Sequence, residues 1–270
     1  MKNKNLKYTL LAATAALNLA GAPLTLQAAE DSELTISSGF DFSDGKYSDR
    51  INTKILYLPL SLKYVTGPWT MRASTGYVSI EGPGTIIPGS NGPVIPTRRP
   101  TDDTLQSRKT DGIGDISLGL SYAVESLYDD DIFIDFTGRV KIPTADVDKG
   151  LGTGKADFTF QVDAARLIGD FMPFATLGYR IMGKSDLFQL QNSWFASIGA
   201  TYYFTNVTSF GLSYDYRKST SLNAEDPREI MAYLDMQVTE KWGINLYGIA
   251  GLSESSPDYG VGLQLRMKLF

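Results

Sequence analysis

Asp115-Ile-Ser-Leu-Gly-Leu-Ser-Tyr-Ala-Val124 and Ile132-Phe-Ile-Asp-Phe-Thr-Gly-Arg-Val-Lys-Ile142 carry the clearest pattern in the chain. In the first, Ile116, Leu118, Leu120, Tyr122 and Val124 share one phase, and Asp115, Ser117, Gly119 and Ser121 share the other. In the second, Ile132, Ile134, Phe136, Val140 and Ile142 alternate with Asp135, Thr137, Arg139 and Lys141. A period of two places alternate side chains on opposite faces of an extended strand. Here one face is apolar and the other is polar, charged or small.

The same scheme recurs on both sides. Upstream, the apolar phases are Leu34, Ile36, Phe40 and Phe42; then Leu56 to Tyr64; then Trp69, Met71, Ala73 and Tyr77. Downstream come Phe158, Phe160 and Val162, then Leu177, Tyr179 and Ile181, then Trp194, Ile198 and Tyr202. Phe210 to Tyr216, Ile230 to Val238, Trp242 to Leu246 and Val261 to Leu269 complete twelve strands. Connections alternate in length. Thr66–Pro68, Glu125–Asp130, Gly169–Asp170, Thr205–Val207 and Thr239–Lys241 are short, whereas the loop from Glu81 to Asp111 is long and rich in Gly and Pro. Tyr64, Trp69, Tyr122, Phe171, Phe204, Phe210 and Trp242 stand beside the short turns, as an interfacial girdle does.

An even number of dyad-patterned strands, short turns on one side and long loops on the other predict an all-β transmembrane antiparallel up-and-down β-barrel. A bilayer leaves no other solution for strands, because every backbone polar group within it must be paired. A soluble β-sandwich also alternates, but it would have to expose one of these two faces wastefully. The terminal Phe270 is in phase with Gln264, Arg266 and Lys268, one step off the Val261-to-Leu269 stripe. A bulge, or a place in the periplasmic rim, reconciles this with a barrel-insertion signal on the last strand.

The first residues have a different character. Lys2, Lys4 and Lys7 precede an apolar run from Tyr8 to Ala20, and Leu26-Gln27-Ala28-Ala29 closes it with small residues. This is the plan of a cleaved secretory signal over residues 1–29, leaving 30–270 as the barrel. Removing the three leader lysines from 25 basic residues leaves 22 against 30 acidic ones, net −8. An acidic exported chain is a poor nucleic-acid partner. The sequence has no histidine and no cysteine, which excludes Ser-His-Asp hydrolysis, thiol chemistry, disulfides and a lipoprotein anchor. No catalytic residue, metal site or cofactor is expected.

Four lookalikes are set aside. Gly150-Leu-Gly-Thr-Gly-Lys155 has three residues where a P-loop has four before Gly-Lys, and a strand follows it rather than a helix. Asp146-Val-Asp148 opens like a calcium loop but lacks the later bidentate Glu. Asp129-Asp130-Asp131 and Asp102-Asp103 read as solvated acidic tips.

Gly112-Ile-Gly-Asp-Ile-Ser-Leu-Gly-Leu-Ser-Tyr122, Arg139-Val-Lys-Ile-Pro-Thr144 and Gly150-Leu-Gly-Thr-Gly-Lys-Ala-Asp157 resemble the outer-membrane proteins of the MetA-pathway phenol-degradation family. The resemblance runs from about Gly112 to Phe270. It implies a transporter-like protein of the Gram-negative outer membrane and supplies no catalytic residues.

The lumen phase holds the candidate functional residues: Lys63, Arg72, Asp135, Arg139, Lys141, Asp157, Asp163, Arg180, Asp215, Arg217, Glu229, Asp235 and Arg266. Arg139 and Lys141 are expected beside Asp157 and Asp163, and Arg217 beside Glu229 and Asp235. Such charges set the field a solute crosses or lock into a buried ion-pair lattice. The lattice is the favoured reading. Arg98, Arg99 and Arg108 in the long loop are candidates for a constriction if that loop folds inward; Ile86, Ile87, Val94 and Ile95 favour an inward or self-packed loop. Twelve tilted strands enclose a bore of ~10–15 Å at most. The expectation is passive passage of small solutes, aromatic or hydrophobic compounds among them, with a non-transporting structural or adhesive barrel as the alternative.

Overall fold

The computed structural model describes residues 32–49, 51–84, 86–89, 92–96, 107–185, 190–222 and 224–270. The expected leader and its cleavage region, residues 1–29, lie outside them. Fifteen strands follow one another: β1 (Glu33–Gly45), β2 (Thr53–Thr66), β3 (Trp69–Gly82), β4 (Ile86–Gly89), β5 (Gly92–Pro96), β6 (Arg108–Ile113), β7 (Ile116–Ala123), β8 (Ile132–Ile142), β9 (Asp157–Arg166), β10 (Phe171–Ile181), β11 (Ser193–Thr205), β12 (Thr208–Arg217), β13 (Arg228–Gln237), β14 (Trp242–Gly251) and β15 (Tyr259–Lys268). β4 and β5 form a separate hairpin. β6 and β7 are two halves of one wall strand, both paired to β3. The remaining wall strands pair in sequence order, and β1 pairs β15 from Thr35↔Lys268 to Asp44↔Tyr259. The result is a closed twelve-stranded antiparallel barrel.

Alternation decides which way each residue points. The apolar phase faces out: Ile198 is 65% exposed, and Leu56, Leu60, Leu120, Phe160, Leu177 and Leu212 stand out with it. Contiguous exposed apolar surface on this scale belongs in hydrocarbon rather than in water. At the short-turn end Trp69 and Tyr122 pair with ring centroids 4.9 Å apart, and Tyr202 and Phe204 at 5.2 Å. Phe270 lies just past the end of β15, where its carbonyl accepts from the Leu34 N–H at 3.0 Å. Its ring is 61% exposed, so the phase conflict resolves as a rim position.

The wall reaches further than the apolar pattern suggests. Residues 81–82 belong to β3 and 108–111 to β6, although the sequence reads as loop from Glu81 to Asp111. Arg108-Lys-Thr-Asp111 carries no apolar face, and both faces of this extension are polar or exposed. A ladder needs no alternation where neither face meets lipid. The break between β6 and β7 falls at Gly114-Asp115. There the Gly114 N–H donates to the Gly76 carbonyl at 2.8 Å, and Asp115 turns inward to accept from the Ala145 N–H at 2.9 Å.

The described start of the long loop packs at the long-loop end of the barrel. Ile86 packs with Tyr47, Ile55, Val78, Ile80, Ala145 and Leu151, and Tyr57 lies against the same cluster. Three long loops thus contribute to one apolar cap: Tyr47 from the first, Ile86 from the second, Ala145 and Leu151 from the third. Burying Ile86 or Leu151 contributes about 1.5–3 kcal/mol each. Ile87 is also buried, as the inward or self-packed reading requires. Burial pushes the Tyr47 hydroxyl well above its ordinary range; it donates to Ser43 Oγ at 2.7 Å.

Candidate functional site: the barrel lumen

Every lumen-phase charge named from the sequence points inward, but the partners are more local than the sequence suggests. Beneath the cap, Lys141 Nζ lies 3.1 Å from Asp115 and 2.9 Å from Asp157. Asp157 also accepts from the Gly183 N–H at 2.9 Å. Arg180, on β10, lies in the field of both Asp157 and Arg217. Arg217 and Glu229, paired across β12 and β13, form a bidentate bridge that includes an Nη1–Oε2 contact of 3.2 Å. Asp215 accepts from Ser213 Oγ at 2.9 Å.

Toward the short turns, Arg266 grips Asp235 at 2.5 and 2.9 Å, and Asn245 Nδ2 donates to Asp235 at 3.2 Å. This corrects the expected Arg217–Asp235 neighbourhood. Asp235 lies near the short-turn end of β13 and Arg217 at the opposite end of β12. Nearer the rim, Glu33 sits 3.7 Å from Lys63 and 3.0 Å from Lys268.

At the waist a polar cavity opens between β3, β7, β8 and β9. It is lined by Arg72, Ser74, Ser117, Gly119, Ser121, Asp135, Thr137, Arg139, Gln161 and Asp163. Four of the sequence candidates, Arg72, Asp135, Arg139 and Asp163, meet here. Arg139 lies in the field of Asp163 and of Arg180, and Arg72 lies in that of Arg139. Asp163 accepts from Gln161 Nε2 at 2.8 and 2.7 Å and from Thr176 Oγ1 at 2.6 Å.

The loop arginines fare differently. Arg108 is exposed on β6, and its guanidinium packs over Gly84, where an added Cβ would lie 2.9 Å from Arg108 Nε. It therefore lines no constriction. Its strand extends the wall upward, and an outward residue there meets water. Arg98 and Arg99 lie outside the described residues.

Sequence reasoning missed a second population in the lumen: large aromatics in the polar phase. Tyr233 faces Gly211, Tyr247 faces Gly262, Phe195 faces Gly178 and Phe174 faces Gly199, each as a direct cross-strand pair. The rings lie flat on those glycines; a Cβ on Gly211 would sit 1.9 Å from the Tyr233 ring. Tyr233 also hydrogen-bonds Thr201 Oγ1 at 2.7 Å. Phe133, Ala165, Met172 and Phe174 form an apolar floor near the short turns, with Tyr128, Leu167 and Tyr203 against it. The period-two signal does register these residues as inward, but only register shows that glycines leave room for them. Asp115 and Glu33, the partners of Lys141 and Lys63, were also missed as site residues; both stand in the lumen phase.

The acidic turn motifs have local uses. Asp146 accepts from the backbone N–H groups of Asp148 and Lys149 at 3.0 and 3.1 Å, an Asx turn. Asp131 occupies the left-handed region, with φ 57°, at the end of a short 3-10 turn over Glu125–Asp130.

A search of curated protein sequences found no match. Among solved structures, the β domain of the Bordetella autotransporter BrkA superposes with a TM-score of 0.52 at 11% identity, covering 88% of this chain and 100% of its own. The NanC porin superposes with a TM-score of 0.54 at 11% identity, covering 87% and 100%. At that identity the likeness shows the fold alone. The family model described as "Putative MetA-pathway of phenol degradation" matches residues 40–269, and this closed, charge-lined barrel belongs to that family.

Proposed function

We propose that the chain, exported by its leader, sits in the outer membrane of a Gram-negative cell and conducts small solutes through its lumen. The short turns face the periplasm, and the last strand, ending at Phe270, engages the insertion machinery. The observation that carries this reading is the polar waist cavity. It is hydrophilic space bounded by charge on one side of the lumen, whereas a purely structural barrel gains more from dry packing. The apolar cap of Tyr47, Ile86 and Leu151 is the barrier that a solute crosses first. An apolar lip over a polar waist suits small compounds with an apolar body and a polar group, including aromatic ones. No enzymatic step enters this reading.

A planar lipid bilayer holding the refolded, leader-free barrel tests it. Discrete conductance steps are expected, and they should grow when residues 83–107 are replaced by a short Gly-Ser turn. Silence from both proteins, each shown to be folded by heat-modifiable gel mobility, would overturn the channel. It would leave the second reading, a plugged structural barrel, which the ring-on-glycine packing of Tyr233 and Tyr247 favours.

A further inference from the structure

We infer that the waist cavity is a binding subsite for a small anion, with the carboxylate group of an organic acid as its occupant. The geometry comes from one row of the ladder. Arg72 on β3 pairs Gly119 on β7, and Gly119 pairs Arg139 on β8. Two guanidinium-bearing residues thus flank a position without a side chain. A Cβ at Gly119 would be in ordinary contact, 3.9 Å from both Arg139 Nε and Arg72 Cβ, so its absence leaves space between the two arginines.

The neighbouring rows supply hydroxyls. On one side Ser74 pairs Ser117, and on the other Ser121 pairs Thr137. Ser121 and Thr137 are bonded to each other at 2.8 Å. Ser117 is different: it is 2% exposed, lines the cavity, and its Oγ has no hydrogen-bond partner among the described residues. A buried hydroxyl left unpaired is costly, and an oxygen in the cavity would recover that cost.

The charges of the lining fall in separate rows. Arg139 lies in the field of Asp163, whose two oxygens also accept from Gln161 and Thr176. Asp135 stands opposite Asp163 across β8 and β9, and although Asp135 shares β8 with Arg139, the Asp135–Asp163 row is separate from the Arg72–Gly119–Arg139 row. A guanidinium presents five N–H donors in a planar fork and can serve several acceptors at once. A small carboxylate placed over Gly119 would accept from both arginines and from Ser117. For its purpose in transport this subsite rests on the channel reading; its chemistry is tested separately.

Sodium acetate is titrated calorimetrically into the refolded barrel in a zwitterionic detergent, with tetramethylammonium chloride as the matched control. Reversal potentials are recorded across a potassium acetate gradient. Saturable acetate binding and a preference for acetate over potassium are expected. Arg139→Gln and Arg72→Gln should each weaken binding at least about tenfold, in line with losing a charge-assisted hydrogen bond. Gly119→Val, which keeps both charges and fills the gap, should abolish it. Binding that survives both Arg139→Gln and Gly119→Val, or no binding by a conducting barrel, overturns the subsite and leaves the channel. Acetate binding by a barrel that never conducts supports the subsite and overturns the channel.

Discussion

At the scale of single residues, the lumen gives its strongest commitments to groups that have no alternative partner in reach. Asp235 is held by Arg266 and Asn245 inside the wall. Asp235→Ala leaves a largely buried guanidinium without its counter-charge and should cost about 3–5 kcal/mol. A shift of the urea unfolding midpoint in lipid vesicles measures it; an unmoved midpoint would mean that water replaces the carboxylate. Lys141→Met should cost more than Lys63→Met, because Lys141 serves two carboxylates, Asp115 and Asp157, whereas Glu33 keeps Lys268 when Lys63 is lost. The same urea series in the two variants gives the order. These charges were legible as inward-facing because alternation needs no register. Their pairing was only partly legible. Arg217 with Glu229, and Lys141 with Asp157, follow from adjacent strands, but Asp235 with Arg266 spans a strand and depends on where each strand starts.

Elements add constraints that residue types alone do not carry. Gly211 exists to seat Tyr233, so Gly211→Val must move a ring that also bonds Thr201. Overpacking of this kind should destabilise by about 1–3 kcal/mol, read from the same urea midpoint, while the equivalent change at Gly138, where nothing stands within 4 Å of an added Cβ, should be near neutral. The loop between β12 and β13 carries a pH dependence. Burial pushes the Asp226 carboxyl up, but the Ser219 N–H at 2.9 Å, the Tyr216 hydroxyl at 2.6 Å and Lys218 at 3.2 Å outweigh it and hold the group below its usual range. A depressed folded value means that the stabilisation is complete above the unfolded carboxylate value of about 3.9 and is lost as pH falls through the lower folded one. Amide exchange at Ser219 should therefore stay slow from neutral pH to about 4 and accelerate below it, beyond the intrinsic pH effect; in Asp226→Asn it should be fast throughout. Strand positions were legible wherever lipid imposed the apolar phase. They were illegible at Arg108-Lys-Thr-Asp111, where the ladder continues in water and nothing in the side chains records it.

For the molecule as a whole, alternation, turn lengths and an even strand count sufficed for a barrel, whereas the state of its lumen required the ladder. Rows such as Arg72–Gly119–Arg139 exist only once three strands are in register. Closure has its own consequence. Neighbouring wall strands follow one another in the chain, β3 and β6 across the long loop, so most of the sheet forms from contacts between consecutive strands. The exception is β1 against β15, whose residues come from opposite ends of the chain. Until that seam zips, the growing sheet carries two unsatisfied edges, and the search that joins them bears the largest loop-closure entropy in the molecule. The rate of assembly should therefore follow the seam rather than the hairpins: proline at Leu265, within the β1–β15 ladder, should slow closure far more than it lowers the amount of hairpin formed. A barrel of this design is a ribbon until its two ends recognise each other, and the last strand synthesised is the one that turns it into a vessel.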